Sequence, residues 1–347
     1  MHISGISAAF PKRQVSNSNI VDLIRANSEQ SFEGDLEKTL KTIAVMLKKT
    51  GTKTRYWLGK DDNAFEYTEK AIMSALDKAQ LNIDDIDLLM FASVDKRVIE
   101  PGMSFLTAKA LGMKTTQCFD ITEGCGGWVR ATQLAQLYLN AGIHTNILIV
   151  TAEYGIHDGS MSKNLLIEKH EDLEWALAAY TVGEGSTATV LTADPDKQWE
   201  HVNHSLPQLA DLCLVPCYEN DPQVMRMKDV NLAGKGLYRF VSYSQKMHEQ
   251  SFELVRNMLA NNSVNPEDMD MFIPHTQSIN PWKQIQKSLD KEIPFSFLLP
   301  EYGNLVNNSM PAAIALAVDG GRIKRGDKIC GLMTAAGMSF TIFNLVY

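Results

Sequence analysis

The sequence has little that would direct it to a membrane or to nucleic acid. Its 347 residues contain no run of about 18 apolar residues, the length that crosses a bilayer. The first residues show no positively charged segment followed by a long apolar one, so export is not predicted. Basic residues are outnumbered, with 33 Lys and Arg against 41 Asp and Glu, and the net charge of -8 argues against a nucleic-acid partner. We therefore expect a cytoplasmic protein that binds neither a membrane nor nucleic acid.

Cysteine is also scarce, and its spacing excludes the commonest structural uses of thiols. There are five cysteines, an odd number without the spacing of a zinc ribbon or a disulfide scaffold. Cys213 and Cys217 are the one close pair, but no second pair or histidine cluster supports a metal site there. We expect free thiols in a reducing compartment and no bound metal. The five are Cys118, Cys125, Cys213, Cys217 and Cys330.

What the chain does contain is the composition and periodicity of an α/β protein. With 45% hydrophobic and 21% charged residues it is typical of globular proteins, and its length suits two domains or one duplicated domain. Segments of helical periodicity alternate with short apolar runs that suit strands covered on both faces. The clearest predicted helices are Phe65–Ala79, Gly127–Asn140, Met247–Asn261 and Pro281–Leu289. The clearest predicted strands are Leu88–Ser93, Thr115–Ile121, Asn146–Thr151, Ser186–Ala193, Met271–Pro274, Ile329–Met333 and Ser339–Val346.

Two short segments resemble each other and indicate an internal duplication. Leu81–Met90 and Val264–Ile273 match in residue type position by position, and each lies between an amphipathic helix and a strand. We therefore predict two similar halves, residues 1–193 and residues 194–347. Equivalent loops of two such halves would face each other, so a composite active site is expected where they meet. The identical pairs are Asn82 and Asn265, Asp85 and Asp268, and Asp87 and Asp270.

The sharpest local motif surrounds Cys125. A predicted strand runs into Gly124, Cys125, Gly126 and Gly127, and a predicted helix follows. Glycines on both sides permit the tight turn of a nucleophile elbow and let a substrate approach closely. The free N–H groups and the dipole of the helix N-terminus are expected to lower the thiol pKa, and the Cys125 N–H is a candidate oxyanion donor. The alternative interpretation is a small buried cysteine at an ordinary turn.

Two residues of the second half complete a possible catalytic set. His275 directly follows the apolar strand Met271–Pro274, and the duplication places this strand end opposite Cys125. Asn304 lies in a second strand-to-helix turn, where its amide could stabilise a developing enolate oxygen. Each also has a plain structural interpretation, a hydrogen-bonded histidine and a turn-forming asparagine. A small-residue turn, Thr334–Met338, joins the last two predicted strands.

Taken together, these motifs resemble the thiolase-fold ketosynthases, specifically β-ketoacyl-acyl-carrier-protein synthase III and its relatives. The resemblance implies a five-layered α-β-α-β-α fold, a homodimer, and a Cys125, His275 and Asn304 triad. It also implies an oxyanion hole formed by the backbone N–H groups of Cys125 and Ala336, with no cofactor. The motifs extend over nearly the whole chain, from Lys49–Arg55 through Cys125, Thr151–Glu153, Gly183–Ala188, His275, Asn304 and Gly326–Asp327 to Ala335–Phe340.

In such enzymes an acyl group passes from coenzyme A or an acyl carrier protein to the cysteine. A malonyl-type thioester then loses CO2 and attacks the acyl-enzyme. The sequence departs from the housekeeping pattern on both sides of Cys125, after His275 and after Asn304. Val45 stands where a tryptophan stacks on the adenine of coenzyme A, and Lys49 replaces a neighbouring arginine. We therefore expect a specialised relative in a fatty-acid or polyketide-like pathway.

Other functions stay open at this stage. The acyl group could instead pass to an alcohol, an amine or water, although retention of both His275 and Asn304 favours condensation. Two acyl thioesters could also condense without decarboxylation, which requires an extra base, for which the candidates are Glu123, Glu153 and Glu184. A further alternative is a non-catalytic partner subunit.

Two structural expectations complete the analysis. Lys48, Lys49, Lys53 and Arg55 are candidates for a basic rim that docks an acidic carrier protein. The stretches 158–173 and 208–231 show poor periodicity and are expected to be long loops or a small cap over the site.

Overall fold

The structure, a computed structural model, describes residues 1–156, 161–217, 237–261, 268–287 and 294–347. The strands are β1 His2–Ala9, β2 Arg13–Ser16, β3 Thr54–Trp57, β4 Leu88–Ala92, β5 Gln117–Ile121, β6 Asn146–Glu153, β7 Gly185–Thr192, β8 Glu200–Ser205, β9 Cys213–Leu214, β10 Val241–Ser242, β11 Met271–Pro274, β12 Lys328–Ala335 and β13 Ser339–Val346. The helices are α1 Asn17–Ser28, α2 Leu36–Thr50, α3 Ala64–Ala79, α4 Met103–Ala110, α5 Gly127–Asn140, α6 Leu173–Ala176, α7 Ser244–Asn261, α8 Ile279–Lys287, α9 Leu299–Tyr302 and α10 Ser309–Asp319. Every clear sequence-predicted helix and strand is present, with ends that shift by a few residues.

Two larger sheets repeat one pattern of strand pairing. The first has the order β1-β7-β6-β4-β5 and the second, read in the same direction, β8-β13-β12-β11. In each, a parallel pair (β6 and β4, β12 and β11) is followed by two antiparallel neighbours. The place of β5 is taken in the second sheet by a single parallel bridge between Phe272 and Phe295. The two halves therefore share one topology.

The two duplicated sequence segments end in the same hydrogen bonds. The Asp87 N–H donates to the Asn146 carbonyl, and the Asp87 carboxylate accepts from the Asn146 N–H at 3.0 Å. In the second sheet Asp270 makes the same pair of bonds with Lys328, both at 2.8 Å. Each aspartate thus fixes the start of a parallel strand pair. The division at residues 193 and 194 stays a prediction.

Helices cover the outer faces of the sheets and fill the space between them. Helix α3 packs on β1 and β7, on the outside of the first sheet, and α7 packs on β13 of the second. Helix α10 contacts both β1 and β11, while α5 packs on β6 and its Trp128 lies against Phe343 of β13, at 6.0 Å between ring centroids. Helices α5 and α10 therefore form the middle of five layers, as the sequence predicted.

The composition of the middle layer explains why it can be shared by both sheets. Helix α10 is apolar on all sides, and Ala312, Ala313, Ala315 and Ala317 are fully buried or nearly so. A helix without a polar face is stable only when it is enclosed, and its small side chains allow close approach on both sides. The start of this helix is consequently held between the two halves, where the candidate site lies.

The segments predicted as long loops are partly regular where the structure describes them. Short 3-10 helices occur at Ser162–Leu165, His170–Asp172, Leu177–Thr181 and Pro207–Leu212. Residues 158–160 and 218–231 of these predicted loops lie outside the described residues. None of the described helices is both long enough and apolar enough to cross a membrane.

Candidate active site

A cavity of about 180 Å³ lies between helices α7 and α8 and the turn that joins β12 to β13. Its wall is mostly apolar, with Met247, Phe252 and Val255 of α7 and Trp282 of α8. His275 and His248 contribute imidazoles to the wall. An apolar cavity with a few polar groups is the usual form of a small-molecule site.

His275 is buried in this wall, at the end of strand β11. Its N–H donates to the Leu332 carbonyl at 2.9 Å, and its carbonyl accepts from Trp282 Nε1 at 3.0 Å, so its backbone is fixed at the end of β11. Neither ring nitrogen has a hydrogen bond among the described residues. Burial lowers the pKa of His275 to about 4, which leaves the imidazole neutral at physiological pH. A neutral ring has one donor and one acceptor available to a substrate.

Cys125 lies in the predicted elbow. Gly124 adopts a left-handed conformation with φ of 49°, and helix α5 begins at Gly127. A Cβ added at Gly124 would lie 3.0 Å from the Ala336 Cβ, and one added at Gly126 would lie 3.3 Å from the Ala335 Cβ. The elbow is therefore seated on the turn after β12. Larger residues than glycine would push these two segments apart.

The expected direction of the Cys125 pKa shift was wrong. Burial raises the pKa of this thiol well above its usual value, and the thiol of Cys213 and the carboxylate of Glu153 act in the same direction. Burial removes the thiolate from water, a cost that the expectation, based on the helix N-terminus, did not include. The resting side chain is thus a neutral thiol, which must lose its proton when it attacks.

Asn304 is held by the first half of the chain. Its N–H donates to the Thr181 carbonyl at 2.7 Å, and its own carbonyl accepts from the Gly183 N–H at 3.0 Å. The side-chain Oδ1 accepts from the Val306 N–H at 3.0 Å. Because Oδ1 is engaged, the Nδ2 group is the part of the amide left to donate, which suits the predicted role.

Arg55 supports this turn. The sequence analysis placed it in a basic rim, and that expectation was wrong. Arg55 is fully buried, and its guanidinium donates to the carbonyls of Val15 and Tyr180 and to Asn17 Oδ1. Its Cβ lies 2.9 Å from where a Cβ on Gly303 would be. Burial lowers the pKa of Arg55 to about 10. A surface role was expected because charge runs usually face solvent; here the strand β3 turns this one residue inward.

The remaining candidates for the basic rim lie on the surface near the cavity. Lys48, Lys49 and Lys53 are exposed, and Val45 on the same helix α2 is 54% exposed. Thr50, at the end of α2, lines the cavity, and the Lys49 carbonyl accepts from Asn280 Nδ2 at 2.8 Å. The end of α2 is thus next to α8 and the cavity.

The three candidate bases differ in their surroundings. Glu123 forms an ion pair with Arg130 at 2.6 Å, and Glu184 accepts from the N–H groups of Leu58 and Ile156. Both therefore have structural partners. Glu153 is buried, and burial raises its pKa to about 7.

The structure brings the predicted residues to one cavity without placing all of them in its wall. His275 and Ala336 line it directly. Cys125 and Asn304 do not, but each belongs to a segment bound to a wall residue, the elbow to Ala336 and Asn304 to Thr181.

The sequence analysis missed Asn307, whose Nδ2 donates to the Gly124 carbonyl at 2.8 Å and so joins the two turns. The only available signal was its place in the Asn-rich turn after Asn304.

The chain is similar in sequence to β-ketoacyl-[acyl-carrier-protein] synthases III. Residues 259–347 match the family model of the C-terminal domain of 3-oxoacyl-[acyl-carrier-protein] synthase III. The β-ketoacyl-[acyl-carrier-protein] synthase III of Clostridium perfringens is 25% identical over 97% of this chain and 96% of its own length. That of Aquifex aeolicus is 27% identical over 88% of this chain and 91% of its own.

The solved structures that resemble the chain include OleA of Xanthomonas campestris. A structure of an OleA cysteine variant with bound lauric acid and lauroyl-CoA superposes with a TM-score of 0.81, at 20% identity, over 99% of this chain and 98% of that one. At this identity the likeness concerns the fold, which is the thiolase fold predicted from the sequence.

The neutral buried histidines predict a stability loss in acid. His275 and His201 each have a pKa lowered by burial to about 4, from the usual histidine pKa of 6.5. As the pH falls from 6.5 toward 4 the unfolded chain takes up protons that the folded chain does not, so each histidine should destabilise the fold by about 2–3 kcal/mol near pH 4.5. Urea unfolding measures the free energy of unfolding at neutral and at acidic pH, and His275→Gln should lose less of it in acid than the wild type. His201→Phe is the matched variant outside the cavity. Equal losses of this free energy in all three proteins would contradict the lowered histidine pKa values.

Proposed function

We propose that the chain is a thiolase-fold ketosynthase of the β-ketoacyl synthase III-like family, which loads an acyl group onto Cys125 and condenses it with a malonyl-type thioester. The observation that carries the proposal is the imidazole of His275, which has no hydrogen bond among the described residues and lies in a mostly apolar cavity. A buried polar group without a hydrogen bond is costly, so its retention points to a bound partner in the working enzyme. A thioester carbonyl supplies that partner.

Loading begins with a neutral thiol and a neutral base. Burial raises the pKa of Cys125, and burial lowers that of His275, so neither is charged at rest. As Cys125 Sγ attacks the thioester carbonyl, its proton passes to a base, for which His275 is the candidate in this cavity. The tetrahedral oxyanion would be held by the N–H groups of Cys125 and Ala336. The donor thiol then leaves with the proton, and the acyl group remains on Sγ.

Condensation uses the second pair of groups. An N–H of neutral His275 and the Nδ2 group of Asn304 would donate to the carbonyl oxygen of the malonyl thioester. Loss of CO2 then leaves an enolate whose charge these two donors stabilise. The enolate carbon attacks the acyl carbon on Cys125, the C–S bond breaks, and the Cys125 thiolate is released with the β-ketoacyl product. No cofactor is needed for these steps.

The proposed reaction is sequential, because the first carrier must leave the acyl-enzyme before the malonyl thioester can reach the acyl group. Ping-pong kinetics follow from that order.

Partners and location are part of the same proposal. The donors would be acyl-coenzyme A or an acyl carrier protein, and the protein would work as a homodimer in the cytoplasm. Support for a dimer comes from β5, the outermost strand of its sheet as described, beside which Ile99, Phe105 and Leu106 are exposed. The five free thiols suit a reducing compartment.

The first prediction concerns the covalent intermediate. Incubation with acyl thioesters of increasing length, beginning with lauroyl-CoA because the OleA relative binds it, should add the mass of one acyl group. The adduct should be absent from Cys125→Ala and retained in Cys213→Ala, the matched variant at the other buried thiol near the cavity. Intact-protein mass spectrometry measures both.

Addition of a malonyl thioester to the loaded enzyme should release CO2. Asn304→Ala should load but release little CO2, because Asn304 acts only in the condensation step. Loss of the acyl group without CO2 would instead favour transfer to an alcohol, an amine or water. A folded protein that no donor acylates would favour the non-catalytic partner subunit.

The surface near the cavity predicts weak use of coenzyme A. Val45 offers the adenine no aromatic face, and base stacking on an aromatic side chain contributes about 1–3 kcal/mol. Val45→Trp should therefore lower KM for acyl-coenzyme A several-fold while leaving KM for an acyl carrier protein unchanged. Met73→Trp, at an equally exposed apolar position on α3, is the control. An equal effect of both variants, or an effect on both donors, would contradict this assignment.

A second candidate function is non-decarboxylative condensation of two acyl thioesters. Solved OleA structures include variants of one cysteine, one histidine and one glutamate. That glutamate precedes the cysteine by nearly the distance that separates Glu100 from Cys125 in this chain. Glu100 is exposed beside Ile99, so it would act only from the proposed dimer interface.

Glu100→Gln distinguishes the two reactions. If Glu100 removes the α-proton of a second acyl thioester, the variant should load Cys125 normally but form no product from two acyl thioesters, because the base is lost. Product analysis by mass spectrometry measures this. If the enzyme condenses only malonyl thioesters, the variant should keep its product yield, and the second function is excluded.

A further inference from the structure

Glu153 is a buried carboxylate whose hydrogen-bond donors are all uncharged. It ends strand β6 and accepts from the N–H groups of Val94 and Asp95, at 3.0 and 3.2 Å, and from Asn307 Nδ2 at 2.8 Å. Its side chain is almost completely removed from solvent. Three donors are enough to orient both oxygens, so the carboxylate is fixed but its charge is not neutralised.

Asn307 links Glu153 to the elbow that contains the nucleophile. The same Nδ2 group donates to the Gly124 carbonyl at 2.8 Å. Gly124 has φ of 49° and directly precedes Cys125. The Asn307 Oδ1 has no donor among the described residues and lies 2.8 Å from where a Cβ on Gly127 would be. The amide is therefore held by its two acceptors, Glu153 and the elbow carbonyl.

The charge of Glu153 also acts on the thiol. Burial raises the pKa of Glu153 to about 7, and Asp95 contributes in the same direction. The Glu153 carboxylate in turn raises the pKa of Cys125. Asp95 and Cys125 are the titratable groups that face Glu153 from the neighbouring segments, and Asn307 faces it from the second half as a neutral amide.

We propose that Glu153 is a positioning residue for the nucleophile: through Asn307 it holds the Gly124 carbonyl and the elbow, so that its buried charge lies one amide away from the residue before Cys125. This inference goes beyond the proposed function and depends on one part of it, that Cys125 is the nucleophile. It also assigns Glu153 a role other than the extra base considered from the sequence, because its oxygens already accept three hydrogen bonds.

The experiment measures alkylation of Cys125 by iodoacetamide as a function of pH, followed by peptide mass spectrometry so that the other four cysteines are counted separately. It requires no acyl substrate. Glu153→Gln removes the charge and should move the alkylation midpoint to lower pH by on the order of one unit. In the wild type, the two coupled titrations should make the rate rise less steeply with pH as Glu153 ionises near neutrality, and this feature should be absent from Glu153→Gln.

Glu123→Gln is the matched control. It removes a carboxylate two positions before Cys125 that pairs with Arg130 and makes no bond to Asn307, so it should leave the midpoint unchanged. Asn307→Ser keeps the charge but cuts the link to Gly124. It should retain the wild-type midpoint and slow acyl loading on the order of tenfold or more, because the thiol is misplaced.

Two outcomes would overturn the inference: an unchanged midpoint in folded Glu153→Gln, or an equal shift in Glu123→Gln. If Glu153→Gln does not fold, the wild-type profile decides, since a single-step titration would exclude coupling to Glu153. Failure of the proposed function would be visible separately, as the absence of any acyl adduct on a protein whose Cys125 still alkylates with the expected pH dependence.

Discussion

The turn from Gly303 to Asn308 supplies hydrogen bonds on which both halves of the molecule depend. Asn304 exchanges backbone bonds with Thr181 and Gly183, Asn307 binds the Gly124 carbonyl, and Asn308 donates to the Gly185 carbonyl at 2.7 Å and accepts from the Thr151 hydroxyl. Each of these partners belongs to the first half and is buried or nearly so. Buried backbone groups that lose a partner cost about 1–3 kcal/mol each. The second half therefore supplies hydrogen-bond partners to the first half at the proposed site. Without the other turn, the 303–308 turn and the Gly124 turn would each lose a hydrogen bond.

This constraint also explains the charge state of the site. A junction that is closed to water suits apolar acyl chains, but it makes every buried charge expensive. The thiol of Cys125 and the imidazole of His275 are accordingly held neutral, with pKa values shifted in opposite directions by the same cause. Negative charge then develops only on a bound substrate carbonyl, where hydrogen-bond donors stabilise it. The resting protein thus favours the thiol of Cys125 over the thiolate. A free thiolate would be more reactive and also more prone to oxidation.

The sequence predicted the fold and the site residues best at positions where the residue type has few structural explanations. Glycines around Cys125 and the repeated aspartates Asp87 and Asp270 have few alternative explanations, and the structure gives both the expected local geometry. Arg55 and the pKa of Cys125 were mispredicted because both depend on burial, which is decided by segments distant in sequence. The bonds of Arg55 to Tyr180, and of Asn307 to Gly124, join residues separated by more than a hundred positions. Local pattern carries no information on such contacts.

Helices α5 and α10 together form the middle layer, and the turn before each carries a candidate residue, Cys125 two residues before α5 and Asn304 five residues before α10. N-termini of helices favour developing negative charge, so a tetrahedral oxyanion and an enolate would both form where helix dipoles oppose their cost. A single ancestral unit offers only one such terminus. Two units packed through a shared layer offer two, and this arrangement suits a reaction that must stabilise two anions in succession on two different carbonyl groups.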